Sequence, residues 1–131
     1  MQSYHLTILS GVSILLAAAG LARAEAGEVG VSADTILFGQ AAALDGPSAA
    51  LGQGMRHGIL AAFQEVNAKG GVHGRRLKLV SRDDGYDPDR SAVQTLKLLD
   101  EDKVFALIGA VGTPTTINSM DNIWSKKYSD Q

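Results

Sequence analysis

Short apolar runs alternate with segments of helical periodicity along this chain, and that alternation leaves few folds open. Thr35 to Leu44, TILFGQAAAL, is a continuous apolar run, fit for a strand covered on both faces. Asp45-Gly46-Pro47-Ser48 breaks it. From about Gly52 to Ala68 the pattern turns helical. Met55, Ile59, Ala62, Phe63 and Val66 recur at spacings of three and four and predict one buried stripe. Gly70-Gly71 ends that helix, His73-Gly74-Arg75 makes a tight turn, and Leu77, Leu79 and Val80 form a short strand. Asp87-Pro88 opens a second helix, with Asp87 as cap and proline in the first turn. Its expected inner face is Val93, Leu96 and Leu99. Lys103 to Val111, KVFALIGAV, is the most strand-like stretch and reads as a central parallel strand. Gly112 to Thr116 then turns into a last helix with Ile117, Met120 and Ile123 at spacings of three. The order β-α-β-α-β-α predicts an α/β fold, a partial doubly wound parallel sheet with right-handed crossovers.

The segment before this alternation reads as an address. Leu6 to Ala22 is apolar and small and ends in Ala22-Arg23-Ala24, the small-x-small pattern of a cleavage site. Residues 1–24 are therefore expected to be a cleaved signal peptide and 25–131 the exported working part. The n-region MQSYH carries no Lys or Arg. As a membrane anchor the run would be at the short limit for spanning, and it is diluted by Thr7, Ser10, Gly11 and Ser13. With 131 residues the chain allows one domain or part of one, and a net charge of −2 gives no reason to expect nucleic acid as a partner. The absence of cysteine excludes disulfides, thiolate metal sites and cysteine nucleophiles.

Several sites invite a reading and most weaken on inspection. Gly52-Gln53-Gly54 with Gly58 resembles a dinucleotide fingerprint, but the third gap is one residue long and a loop separates it from the first strand. Small residues there also permit close packing of helix on sheet. His5, His57 and His73 stand in three unrelated contexts without a second ligand at metal-binding spacing. Asp83 and Asp84 could do acid–base work, or end a strand and start a turn. No serine or threonine sits in a nucleophile-elbow setting. No metal, cofactor or catalytic group is expected, so the chain is not read as an enzyme. The loop Gly112 to Thr116 is the better candidate, because open α/β sheets bind ligands beyond the carboxyl ends of their strands. Amides at a helix N-terminus and the hydroxyls of Thr113, Thr115 and Thr116 suit a carboxylate, though Thr113 or Thr115 could equally cap its own helix. The loop Asp45 to Leu51 ends the first strand on the same edge and could face the same cleft. Tyr86 leaves the second strand there and could contact solute or simply pack.

From Leu44 to Thr116 these pieces are familiar together. The GP turn with a following G-x-G, the EVNAKGGVHGR turn, the DDGYDP corner and the IGAVGTPTT loop stand in order. In that order they resemble the start of a branched-chain-amino-acid-type periplasmic solute-binding protein, the substrate-binding component of an ABC importer. The resemblance implies a type I periplasmic-binding-protein fold with two lobes that close on a solute, without catalysis. It implies capture of a small carboxylate-bearing solute, an amino acid, for hand-over to an ABC permease in the membrane. It places Thr113 on the solute carboxylate, with Gly112, Thr115 and Thr116 as neighbours, and Ser48 and Leu51 on the same cleft. Some members join the positions matching Tyr86 and Gly112 by a disulfide, which this chain lacks. Family members are roughly three times longer, and Asn118 to Gln131 does not continue their pattern. Residues 25–131 are thus expected to form an incomplete N-terminal lobe that alone binds amino acids weakly or not at all. The alternatives kept open are a ligand-sensing module of the same fold and a fragment without function.

Overall fold

The computed structural model describes residues 27–128; the expected signal peptide, residues 1–24, lies outside them. Six elements follow the expected order: β1 (Thr35–Ala42), α1 (Ala49–Ala68), β2 (Arg76–Asp83), α2 (Pro88–Asp100), β3 (Ala106–Leu107) and α3 (Thr113–Tyr128). The strands form one parallel sheet in the order β2-β1-β3. This is the α/β arrangement read from the alternation. No helix among the described residues is long and apolar enough to cross a membrane.

The central strand is β1, and its apolar run serves both faces. Ala41, Leu98 and Val104 are buried on one side, with Leu37, Val80 and Leu99 packed against them. On the other side the Phe38 ring meets Phe63 of α1 at 5.3 Å between centroids. Close approach of helix and strand depends on Gly52, where a Cβ would lie 1.9 Å from the Ala43 carbonyl oxygen. The expected packing role of that glycine therefore holds. Gly54 and Gly58 face open space.

Local chemistry sets the ends of the elements. Helix α1 closes in a Schellman motif: the Gly71 amide donates to the Val66 carbonyl and the Gly70 amide to that of Asn67, with Gly70 at φ +99°. The Asn67 carboxamide then acts like a strand neighbour for Leu77, accepting from its N–H at 2.8 Å and donating to its C=O at 2.9 Å. Asp87 caps α2 by accepting from the Arg90 amide at 2.8 Å, with Pro88 at the first position.

Four expectations are corrected. KVFALIGAV is not the central strand: only Ala106–Leu107 is paired, on the outer side of β1, and Phe105 and Leu107 stay exposed. Its apolar run marks contact with β1 and α1 through a short segment rather than burial between two strands. The stripe of α1 is narrower than the periodicity suggests, since Ile59 and Phe63 are buried while Met55 and Ala62 are exposed. The inner face of α2 is Ser91, Ala92, Thr95 and Leu98, and Val93 is half exposed. Small hydroxyl residues win this face because α3 packs close: Ser119 meets Ser91 at 3.0 Å and Thr95 at 3.2 Å, so the buried hydroxyls satisfy one another. On α3, Ile117 and Met120 point outward, with Ser119 and Thr115 buried instead.

Candidate functional site

Because all three strands run parallel, their exit loops (43–48, 84–87 and 108–112) gather at one edge of the sheet. The order β2-β1-β3 places a topological switch point between β1 and β3. From β1 the chain crosses to β2 on one side and later returns to β3 on the other. Ligands of open α/β sheets bind in the crevice at such a point. Here the crevice is flanked by the starts of α1 and α3.

Each loop is fixed by a buried or half-buried polar side chain. Asp83, at the end of β2, accepts through Oδ1 from the amides of Leu44 (2.8 Å), Asp45 (3.0 Å) and Gly85 (3.1 Å), and its Oδ2 pairs with Arg90 at 2.7 Å. Burial opposes its charge, but these amide donors and the Arg90 guanidinium outweigh that and hold its pKa below the usual carboxylate value. Asp84 is fully buried and accepts from the Tyr86 amide at 2.8 Å, the short turn that lets Tyr86 adopt φ +64°. The adjacent carboxylates thus terminate a strand and build a corner. Gln40, 1% exposed, accepts from the Ser81 hydroxyl at 3.0 Å and donates to the Gly109 carbonyl at 3.0 Å. The apolar reading of β1 missed this residue. A lone carboxamide within a buried run must find partners, and that is the signal that could have found it.

The start of α3 remains the part of the edge least satisfied from within. Gly112, just before the helix, has no side chain to cap it, and Pro114 in the first turn has no amide. Thr113 is exposed, and its hydroxyl has no hydrogen-bond partner among the described residues. Thr115 is buried; its hydroxyl turns back toward the carbonyls of Val111 (2.7 Å) and Gly112 (2.8 Å) and holds the loop rather than facing out. Neither threonine caps the helix by accepting from its amides, so the capping alternative does not describe this end. Thr116 is half-buried, donates its amide to Gly112 at 3.0 Å, and lines an apolar groove of about 170 Å³ with Leu107, Met120 and Ile123.

The first loop brings Ser48 and Leu51 to the same edge. Ser48 precedes α1, is half-buried and makes no side-chain cap bond; Leu51 is 57% exposed. Tyr86 joins the other two loops, for its ring lies against Gly112, where a Cβ would come within 2.8 Å of Cε2. It packs and stays partly exposed. All seven expected residues lie in or next to the three exit loops; Thr113 and Leu51 are exposed, Thr115 is turned inward, and Thr116 lines the groove beside Leu107 and Ile123. His57 and His73 are exposed, one on α1 and one in the turn before β2. No group of metal-ligating side chains is present among the described residues.

Residues 35–127 match the family model described as periplasmic binding protein. The chain belongs to that family. Among its relatives, Leu/Ile/Val-binding protein homolog 2 of Brucella abortus is 35% identical over 92 residues, 70% of this chain and 24% of that protein. An amino acid binding protein of Pseudomonas aeruginosa is 32% identical over 82 residues, 63% of this chain and 22% of its own length. Among solved structures, a possible leucine/isoleucine/valine-binding protein from Rhodopirellula baltica superposes with a TM-score of 0.67 at 46% identity, over 79% of this chain and 27% of that one. A branched-chain amino acid transporter substrate binding protein from Streptococcus pneumoniae, solved with isoleucine, gives 0.65 at 29% identity over 72% and 26%. A fatty acid ABC transporter substrate-binding protein from Thermomonospora curvata gives 0.66 at 33% identity over 76% and 25%. The chain spans about a quarter of the length of the relatives it matches.

Proposed function

We propose that residues 25–131 supply part of the N-terminal lobe of the substrate-binding component of an ABC importer, working in the periplasm after residues 1–24 are removed as a signal peptide. The component captures a small carboxylate-bearing solute, an amino acid, without catalysis and hands it to an ABC permease. The observation that carries this reading is the uncapped start of α3 beside the switch point. The Thr113 and Thr115 amides have no hydrogen-bond partner among the described residues and Thr113 is exposed, and donors of this kind suit an anion. Isoleucine and fatty acids, named with two of the similar structures, share a carboxylate. On this reading Thr113 and the amides after Gly112 hold the carboxylate, while Ser48, Leu51 and Tyr86 line the cleft, with Thr115 and Thr116 setting the loop.

Good sites bury most of a small ligand. One open edge offers a few charge-assisted hydrogen bonds and a half-solvated solute, so affinity on the order of millimolar is expected, about −4 kcal/mol. Titrating isoleucine into the labelled chain and following amide chemical shifts tests this. The expected response is confined to Ser48–Leu51 and Gly112–Thr116 and is lost with isoleucinamide, which lacks the carboxylate. Shifts centred elsewhere, or an equal response to the amide, would sink the reading.

A further inference from the structure

We infer that Gln40 is a positioning residue for the solute loop, an inference that rests on the proposed reading of the α3 start. Gln40 lies in the middle strand, and its carboxamide reaches both neighbours at once. The oxygen accepts from Ser81 of β2 at 3.0 Å, and the nitrogen donates to the carbonyl of Gly109, just past β3, at 3.0 Å. Ser81 has a function of its own here: a hydroxyl donor on one end of the amide presents the other end, the N–H, to Gly109.

The Gly109 peptide is held on its other sides as well. A Cβ there would lie 2.5 Å from Ile59 Cδ1, 3.1 Å from Met55 Cγ and 3.3 Å from Gln40 Nε2, and the residue takes φ +69°. The residue before it is fixed by the Ile108 amide donating to Gly39 at 2.8 Å. The far end of the same loop is fixed by Thr115 donating to Val111 and Gly112. Residues 108–112 are therefore tied at both ends and bridge directly to Thr113. A trans peptide is planar, so fixing the Gly109 carbonyl also fixes the direction of the Ala110 N–H and the path of the chain beyond it. With 1% exposure, Gln40 cannot touch solute; it acts through the loop.

Two variants test this, read by amide hydrogen exchange of the full chain corrected for intrinsic rates. Gln40→Met keeps the bulk and removes both hydrogen bonds. Ser81→Ala keeps Gln40 and removes only the group that orients it, so it remains informative if the first variant fails to fold. The expected result is at least tenfold faster exchange at Ile108 and Thr116, the hydrogen-bonded amides that bracket the loop, in Gln40→Met and a smaller rise there in Ser81→Ala. Amides of α2 and the first half of β2 should change less than twofold. A uniform rise across the chain would show a residue that merely stabilises the fold, and an unchanged loop would show no role; either overturns the inference. Isoleucine shifts measured alongside keep the two ideas apart. If the wild-type chain shows none, the solute reading fails, while the exchange pattern still decides whether Gln40 sets the loop.

Discussion

Replacing Asp83 by alanine removes a side chain that ties the β1 exit loop, the β2 corner and the start of α2 together. Its Oδ1 accepts three backbone amides and its Oδ2 one guanidinium. A hydrogen bond to a charged group contributes about 1.5–3 kcal/mol net. The three amides share one oxygen, and the side chain is 30% exposed, so water replaces part of what is lost. The Arg90 side chain is 56% exposed, which limits that pair to at most ~1 kcal/mol. Together these give an expected loss of about 3 kcal/mol for Asp83→Ala. For a domain of this size that is a fall in Tm of roughly 12–24 °C. Asp83→Asn keeps one acceptor oxygen but loses the charge and the Arg90 pair, and should lose about half as much.

The pH dependence supplies a second, independent check. Folding lowers the Asp83 pKa, so the unfolded chain binds its proton more readily than the folded one. The stabilisation is complete above the unfolded value of about 3.9 and disappears as pH falls through the lower folded value. Urea titrations of wild type and Asp83→Ala, followed by circular dichroism at pH 7, 5 and 3, should therefore show a gap that is constant between the first two and narrows at the third. A loss under ~1 kcal/mol at pH 7 would refute the magnitude. A gap as wide at pH 3 as at pH 7 would refute the assignment of the effect to the carboxylate.

Three further outcomes follow from other contacts. Gly52→Ala should lower stability by about 3 kcal/mol or more, because its Cβ meets the Ala43 backbone at 1.9 Å, whereas Gly54→Ala in the same helix should raise it by about 0.5–1 kcal/mol; thermal melts of the pair distinguish packing from helix propensity. Arg82 reaches both oxygens of Asp102, at 2.7 and 3.1 Å, and both side chains are about three-quarters buried. A double-mutant cycle with Arg82→Met and Asp102→Asn should give a coupling of about 1–2 kcal/mol, and Arg82→Lys should recover less than half of it because an ammonium cannot form the fork. Asp87→Ala should cost about 1 kcal/mol and Asp87→Ser far less, read by urea unfolding, since what is lost is the cap on the Arg90 amide.

Much of this fold was legible because local signals agreed with the global one. The Asp87-Pro88 start, the Gly70-Gly71 stop and the alternation of β1 with α1 each depend on neighbours in sequence, and each stands where the pattern put it. What failed depended on distant partners. Val93 looked like core by spacing, but the burial of Ser91 and Thr95 depends on Ser119, 28 and 24 residues on, which periodicity cannot see. The strand rank of KVFALIGAV failed for the same reason, since apolarity does not report how many strands lie alongside. At the candidate site, the loops were legible from the positions of turn residues after strands. Which hydroxyl turns inward was not, because the choice between Thr113 and Thr115 is made by helix geometry: Thr115 stands four residues beyond Val111, within reach of its carbonyl.

The polar groups of the carboxyl edge divide by what they are bound to, and that division makes the proposed site testable at single residues. Asp83, Gln40 and Thr115 spend their hydrogen bonds on the exit loops. The Thr113 hydroxyl is exposed, with no partner among the described residues, and Ser48 makes no cap bond. Ordering a loop on binding costs about 1–2 kcal/mol per residue, so five residues left loose would cancel the whole of a millimolar affinity. Loops fixed beforehand remove that cost, which is why a few donors suffice. Thr113→Ala and Gln40→Met should then weaken isoleucine binding in different ways. The first should leave amide exchange at Ile108 and Thr116 unchanged while reducing the isoleucine response at Gly112–Thr116. The second should raise exchange and reduce the response together. Loss of loop protection in Thr113→Ala would place that hydroxyl among the groups that hold the loop and would remove it from the solute.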